Sequence, residues 1–207
     1  MMNRRAFLAG ACALPLAGCG DVLGPGVSPH IYVLRASFPP PVPGPKVPWS
    51  LSVARPGTAD SLDTVRIPIV KADGTMDFYA MAQFPDRVPM LVQDALVAGF
   101  EASNRIDQVS RAQDALQADY VLLTEVRDFE AKYDVPDGVP TVTVTLSVKL
   151  VAAKGRRILA GFTTRQTAPA SANSIGAAAQ GFETALLAAA NAVVAWALAL
   201  PLPPAKA

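Results

Sequence analysis

The sharpest pattern in the chain is a strict alternation over residues 141–150. Val142, Val144, Leu146, Val148 and Leu150 fall on one face, with Thr141, Thr143, Thr145, Ser147 and Lys149 on the other. A two-residue period is the repeat of a strand with one apolar face, so a strand is predicted here with its threonine face wet. Tyr120 to Tyr133 predicts a second long strand, apolar on both faces in its first half and on one face in its second. Pro136-Asp137-Gly138 and Lys154-Gly155 are turn signals, and the second leads into a third strand over Arg157 to Thr167. Earlier in the chain, Leu51 and Val53 alternate with serines. Leu62 to Val70 puts Val65, Ile67 and Ile69 on one face. Ala72-Asp73-Gly74 then turns the chain into a hairpin partner, Met76 to Phe84. Plain alternation along that partner groups Phe78, Ala80, Ala82 and Phe84 against Tyr79, Met81 and Gln83.

Two stretches change period. Val88, Leu91, Val92, Ala95, Leu96 and Phe100 recur at helical spacing, with Asp86 as the expected cap, Pro89 in the first turn and Asn104 at the end. Ile106 to Val109 suggests a short strand, and Ser110 to Gln117 a helical turn or two. From Ser171–Ser174 to about Leu200 a second helix carries Phe182, Leu186, Ala189, Val193, Trp196 and Leu200 as a packing seam. It is apolar enough to raise a membrane-spanning reading. Asn191 near its middle, its alanine content and its length favour a buried or half-buried core helix instead. The expected fold is α/β of the α+β kind: a single domain, with a mixed, largely antiparallel sheet packed against two main helices.

The first 48 residues have another character. Arg4-Arg5, the apolar run Ala6 to Leu16 and the small residues before Cys19 make an export signal over residues 1–18. Leu16-Ala17-Gly18-Cys19 resembles a bacterial lipobox. That resemblance implies a diacylglyceryl group on Cys19, cleavage before it and acylation of the freed amine. One acyl chain holds a protein to a bilayer only marginally, whereas two or three make a lasting anchor. Asn3-Arg4-Arg5-Ala6-Phe7-Leu8 also resembles a twin-arginine signal, which leaves the export route open. The lipobox pattern further implies sorting by the residues after the cysteine. Gly20 stands there rather than aspartate, so the expected location is the periplasmic face of the outer membrane. Residues 19–48 read as a lipidated cysteine and a Pro/Gly-rich tether, interrupted by a strand-like run from His30 to Ala36 that can dock on the domain. The domain is expected over residues 49–201, and residues 202–207 as a frayed tail.

Composition narrows the function. About 190 residues follow the signal, enough for one domain with a sizeable core. Lys+Arg 18 against Asp+Glu 17 leaves no electrostatic footprint for nucleic acid. Cys12 departs with the signal and Cys19 is alkylated, so no disulfide is expected. His30 is the only histidine and lies in the tether, which removes histidine-based nucleophilic catalysis and histidine-based zinc sites from the domain. No phosphate-cradling glycine motif is present. Asp128, Glu130, Asp134 and Asp137 are interleaved with Arg127 and Lys132 and match no calcium-loop spacing, so they read as a solvated strand end. No metal and no cofactor beyond the covalent lipid on Cys19 is expected, and no enzymatic activity.

The ordered set Leu51-Ser52-Val53, Leu62-Asp63-Thr64-Val65-Arg66-Ile67, Tyr79-Ala80, Ala118-Asp119-Tyr120-Val121-Leu122 and Glu125-Val126-Arg127-Asp128-Phe129-Glu130, behind a lipobox and before an alanine-rich final helix, resembles the ABC-type transport auxiliary lipoprotein family. Phe84 stands where that pattern leads one to expect a tryptophan. The resemblance implies an auxiliary role beside an ABC ATPase, a permease and a mammalian-cell-entry-type protein, moving phospholipid or other apolar molecules between two membranes. A structural or assembly lipoprotein of the outer membrane is the second reading, and an envelope hydrolase the third. Self-association into a homo-oligomer is left open. Tyr79, Met81 and Leu187, on faces away from the main seams, are the candidate partner surface, on condition that those faces are exposed.

Overall fold

The computed structural model describes residues 28–35, 44–114 and 116–203. The signal, the lipobox and Cys19 lie outside the described residues, as does the end of the tail. Among the described residues nine strands form one mixed sheet: β1 (His30–Ile31), β2 (Leu51–Val53), β3 (Gly57–Thr58), β4 (Arg66–Val70), β5 (Met76–Gln83), β6 (Val109–Arg111), β7 (Tyr120–Lys132), β8 (Thr141–Ala152) and β9 (Ile158–Pro169). The helices are α1 (Val88–Ala102) and α2 (Ile175–Leu198). Strand β7 is the spine. The antiparallel meander β7-β8-β9 builds out from one edge of it, while β2, β3 and β4 lie end to end along the other, all parallel to it. Antiparallel pairing therefore holds the long strands and parallel pairing the short ones, a division that alternation cannot reveal because both kinds repeat every two residues.

Two bulges reset which residues face the core. In β7, Val126 pairs with Leu146 but Asp128 with Thr145, so Arg127 is an extra residue. Beyond it the alternation changes phase, and Phe129 and Ala131 join Leu122 and Val126 on the buried face. Unbroken alternation had placed them on the opposite one. In the β4–β5 hairpin, Arg66 pairs with Gln83 but Pro68 with Phe78. Four residues of β5 thus oppose the single Ile67. Pro68 has no N–H to give the ladder, and Met81 takes a left-handed backbone with φ 54°. The predicted grouping of Phe78 with Ala82 and Phe84 fails for this reason. Tyr79 packs toward the core with Ala82 and Phe84, while Phe78 lies under the Arg66 guanidinium, 4.0 Å from the ring centroid.

The helices cover one face of the sheet. Phe84, Phe129 and Phe182, each 0 % exposed, meet where β5, β7 and α2 converge, with ring centroids 4.9 to 5.8 Å apart. A Cβ on Gly181 would stand 2.8 Å from Val142 Cγ2, so glycine lets α2 close onto β8. Val194 and Leu198, set apart from the predicted seam, are buried as well. The length and hydropathy of α2 would suffice for a membrane span, but most of its apolar surface is spent on the sheet and on α1. Ser174, at the expected start, caps it by accepting from Ala177 N–H. At α1 the expected cap fails: Arg87 holds the cap position, and Asp86 accepts the Arg87 N–H instead.

Three further expectations are corrected. Thr143 and Thr145, on the face predicted to be wet, are 3 % and 7 % exposed. They sit on a central strand, Thr143 between Glu130 of β7 and Thr167 of β9 and Thr145 between Asp128 and Arg165, so cross-strand neighbours flank both small side chains. The folded body also begins before Trp49. Strand β1 pairs with β5, and Val47 N–H donates to Arg105 O. It extends past Pro201 too, since Leu202 packs on the core and Tyr120 OH donates to Pro203 O at 2.8 Å.

Candidate partner surface

The three candidate residues do not share one patch. Tyr79 is half-buried, and its hydroxyl lies 2.8 Å from that of Tyr133, which donates to Asn173 Oδ1 at 3.1 Å. Asn173 Nδ2 in turn donates to Asp137 O. With the Tyr133 proton committed to Asn173, Tyr79 is the donor to Tyr133. Burial, and then the bond to Tyr133, push the Tyr79 hydroxyl well above the ordinary tyrosine pKa, so it stays protonated as a hydrogen-bond donor. This chain ties β5 and the end of β7 to the loop before α2. Beside it lies a cavity of about 410 Å³, lined by Ile69, Lys71, Asp73, Tyr133, Pro136 and Asn173. Tyr79 is therefore a structural tie and is withdrawn from the candidate surface.

Leu187 is half-buried in a second cavity of about 360 Å³, between α1 and α2. Leu91, Ala95 and Leu186 line its floor, and Leu34 of the tether region closes one side. Arg35 N–H donates to Glu183 Oε2 at 3.0 Å, and the Arg111 guanidinium pairs with Asp94 at 2.7 Å. Only Met81 is plainly exposed, at 46 %, and it owes that to the bulge. It has neighbours that alternation along β5 could not show. His30 pairs with Ala82 and Ile31 with Gln83, which brings Ile31 (58 % exposed) and Val33 (60 % exposed) to the same edge. The strongest exposed apolar group around the original candidates is therefore Ile31, Val33 and Met81, at the point where the tether joins the sheet.

His30 sits in the first strand pair of that edge and is exposed. Asp128 and Glu130 lie on the sheet face away from the helices, and Asp134 and Asp137 in the β7–β8 turn. Among the described residues no three acidic, histidine or cysteine groups gather as metal ligands. Glu130 is half-buried, and burial followed by the nearby Asp128 charge raises its carboxyl above the ordinary value of 4.5. Gln93 was not legible as a site of any kind. It is 0 % exposed and donates to Val53 O at 2.9 Å while exchanging amide hydrogen bonds with Gln113, fastening α1 to β2.

These features define a class: a single α+β domain entered through an edge strand from a proline-rich tether, with a helix pair on one sheet face. Solved structures share the fold. Protein XCC0632 from Xanthomonas campestris superposes with a TM-score of 0.76 at 31% identity, over 82% of this chain and 94% of that one. An uncharacterized protein reaches a TM-score of 0.64 at 13% identity, over 82% and 99%, a likeness of fold alone. A further protein of Bradyrhizobium diazoefficiens, itself uncharacterized, is 32% identical over 110 residues. That stretch is 52% of this chain but 28% of the Bradyrhizobium one. The profile of the ABC-type transport auxiliary lipoprotein components matches residues 32–194, from the tether end to the last turns of α2, and the chain belongs to that family. That family is one of auxiliary transport lipoproteins of the cell envelope.

Proposed function

We propose that the chain is a non-enzymatic auxiliary component of an ABC and mammalian-cell-entry-type system that moves phospholipids or other apolar molecules between the inner and outer membranes. The family match over residues 32–194 carries this reading. Acyl chains on Cys19 hold the domain at the membrane, on the periplasmic face of the outer membrane, and the covalent lipid is its only prosthetic group. Its partners are the mammalian-cell-entry-type protein, the permease and the ATPase of the same system, with phospholipid as cargo. The exposed edge formed by Ile31, Val33 and Met81 supports a partner contact next to the tether, where anchoring and capture would act together.

Two substitutions test the two halves. Cys19→Ala should leave an unprocessed or soluble form without incorporated palmitate, because the acyl chains supply the membrane affinity. Palmitate label retained in that variant refutes the anchor. Met81→Ser should weaken capture of partner proteins while leaving the melting temperature unchanged. A lowered melting temperature with undiminished capture would return Met81 to a structural role.

A further inference from the structure

The chain is nearly neutral overall, with Lys+Arg 18 against Asp+Glu 17, but its charge is not evenly spread. Strand β8 separates the two ends by about 3.3 Å per residue over its length. At the end where β7 passes into β8, the two adjoining turns and the strand ends beside them carry Asp73, Asp77, Asp134 and Asp137 against Lys71 and Lys132. At the opposite end the β8–β9 turn runs through Gly155 and Arg156, both at positive φ (79° and 50°). It presents Lys154, Arg156 and Arg157, with Lys149 one rung inside, all exposed. Among the described residues none of these four cations has a carboxylate within ion-pair distance.

An apolar patch lies directly beside them. Val121, Val151 and Ile158 occupy one rung across β7, β8 and β9, and Leu123, Lys149 and Gly161 the next. Ile158 is 57 % exposed and Leu123 38 %. Leu116, 65 % exposed, borders an open cavity of about 730 Å³ that Val121 and Lys154 also line. Asp119, which lines the same cavity, accepts from both Ser50 N–H and Oγ, and Glu125, two residues beyond Leu123, pairs with Arg127.

We propose that this end of the domain, the β8–β9 turn with Ile158, Leu123 and Leu116, seats on an anionic phospholipid surface. Cations without fixed partners, on long stems next to exposed aliphatic side chains, suit a diffuse negative field bordering an apolar phase. The acidic turns at the far end are repelled by the same field, so the charge distribution orients the domain as well as attracting it. This contact is separate from the acyl anchor. It decides how the tethered domain stands on the bilayer, whereas the anchor decides only that it stays.

The test uses the mature acylated protein carrying Ala153→Cys, labelled with an environment-sensitive fluorophore and placed on vesicles. Vesicles of phosphatidylcholine alone are compared with vesicles containing phosphatidylglycerol. Emission should rise on the anionic vesicles only, and the rise should be lost in high salt. In K154Q/R156Q/R157Q the docked-to-free ratio should fall roughly fivefold for each cation removed, with an unchanged circular dichroism spectrum. No rise on anionic vesicles overturns the proposal. An equal rise on neutral vesicles overturns its electrostatic basis. A rise with polyglutamate but not with anionic vesicles assigns the surface to an acidic protein and overturns it too. A chain that does not stay on phosphatidylcholine vesicles refutes the anchor instead, and its emission on the anionic ones still reports docking.

Discussion

Phe182→Ala probes the junction on which the fold depends. The Phe182 side chain is fully buried, stacked on Phe129 at 4.9 Å and edge-on to Phe84 at 5.4 Å, so its loss empties the point where α2 meets β5 and β7. Replacing a buried phenylalanine by alanine costs about 3–5 kcal/mol through lost transfer energy and residual cavity. The two aromatic pairs place this site toward the upper part of that range. Against a domain stability of order 5–15 kcal/mol, the variant should remain folded in water but unfold at much lower urea. Leu187→Ser, on the same helix but half-buried in the α1–α2 cavity, should cost about 1 kcal/mol or less. Urea titration followed by tryptophan fluorescence and circular dichroism checks both variants. Trp196 is a useful reporter because it stacks on Phe162 at 5.5 Å, across the α2–β9 contact. Equal losses from the two substitutions, or a loss below about 1 kcal/mol for Phe182→Ala, would refute the packing described for α2.

Three other outcomes follow from the sheet. Val144→Asp should abolish folding, and Thr143→Asp should also destabilise severely, because both positions are buried; near-native urea resistance of Thr143→Asp would mean that the outer face is wet after all. Thr145→Val should raise stability by about 1 kcal/mol in the same titration, since the buried Thr145 hydroxyl has no partner among the described residues and valine matches its shape; a loss would reveal a bond to that hydroxyl. Glu130 has a folded pKa raised above its ordinary 4.5, so ionising it as pH climbs through the folded value weakens the native state. Glu130→Gln should therefore melt higher than wild type at pH 7, and the gap should close as pH falls below about 4.5; a lower melting temperature at pH 7 would contradict that environment.

How far the sequence could be read follows from what its patterns encode. The long strands and both helices were legible because β7, β8 and α2 repeat cleanly over many residues. The β4–β5 hairpin was legible through its Asp73-Gly74 turn, although β4 begins at Arg66 rather than at Leu62. Lost were features that interrupt a period. Arg127 and Met81 sit at bulges that no local pattern announces, and each bulge moves the residues after it to the other face. Pro68 was the one available signal, since a proline inside a strand marks a broken ladder. Strand β2 was legible in the alternation of Leu51 and Val53 with serines; β3 was missed and β6 was placed at Ile106 to Val109 instead of Val109–Arg111, because pairing to a distant strand, not local pattern, makes those two strands. The candidate surface was half legible for the same reason. Met81 meets the condition of exposure, Tyr79 is turned inward by the bulge, and Ile31 and Val33 join Met81 only through the β1–β5 pairing.

The most direct test of the central claim is co-purification of the acylated protein from membranes, solubilised after brief crosslinking, with identification of the proteins and lipids that accompany it. The account predicts the permease, the ATPase and the mammalian-cell-entry-type protein of one transport system together with phospholipid, and their loss with Met81→Ser while the protein stays in the membrane. Recovery of outer-membrane assembly or structural proteins alone, with no transporter subunit and no effect of Met81→Ser, would contradict it.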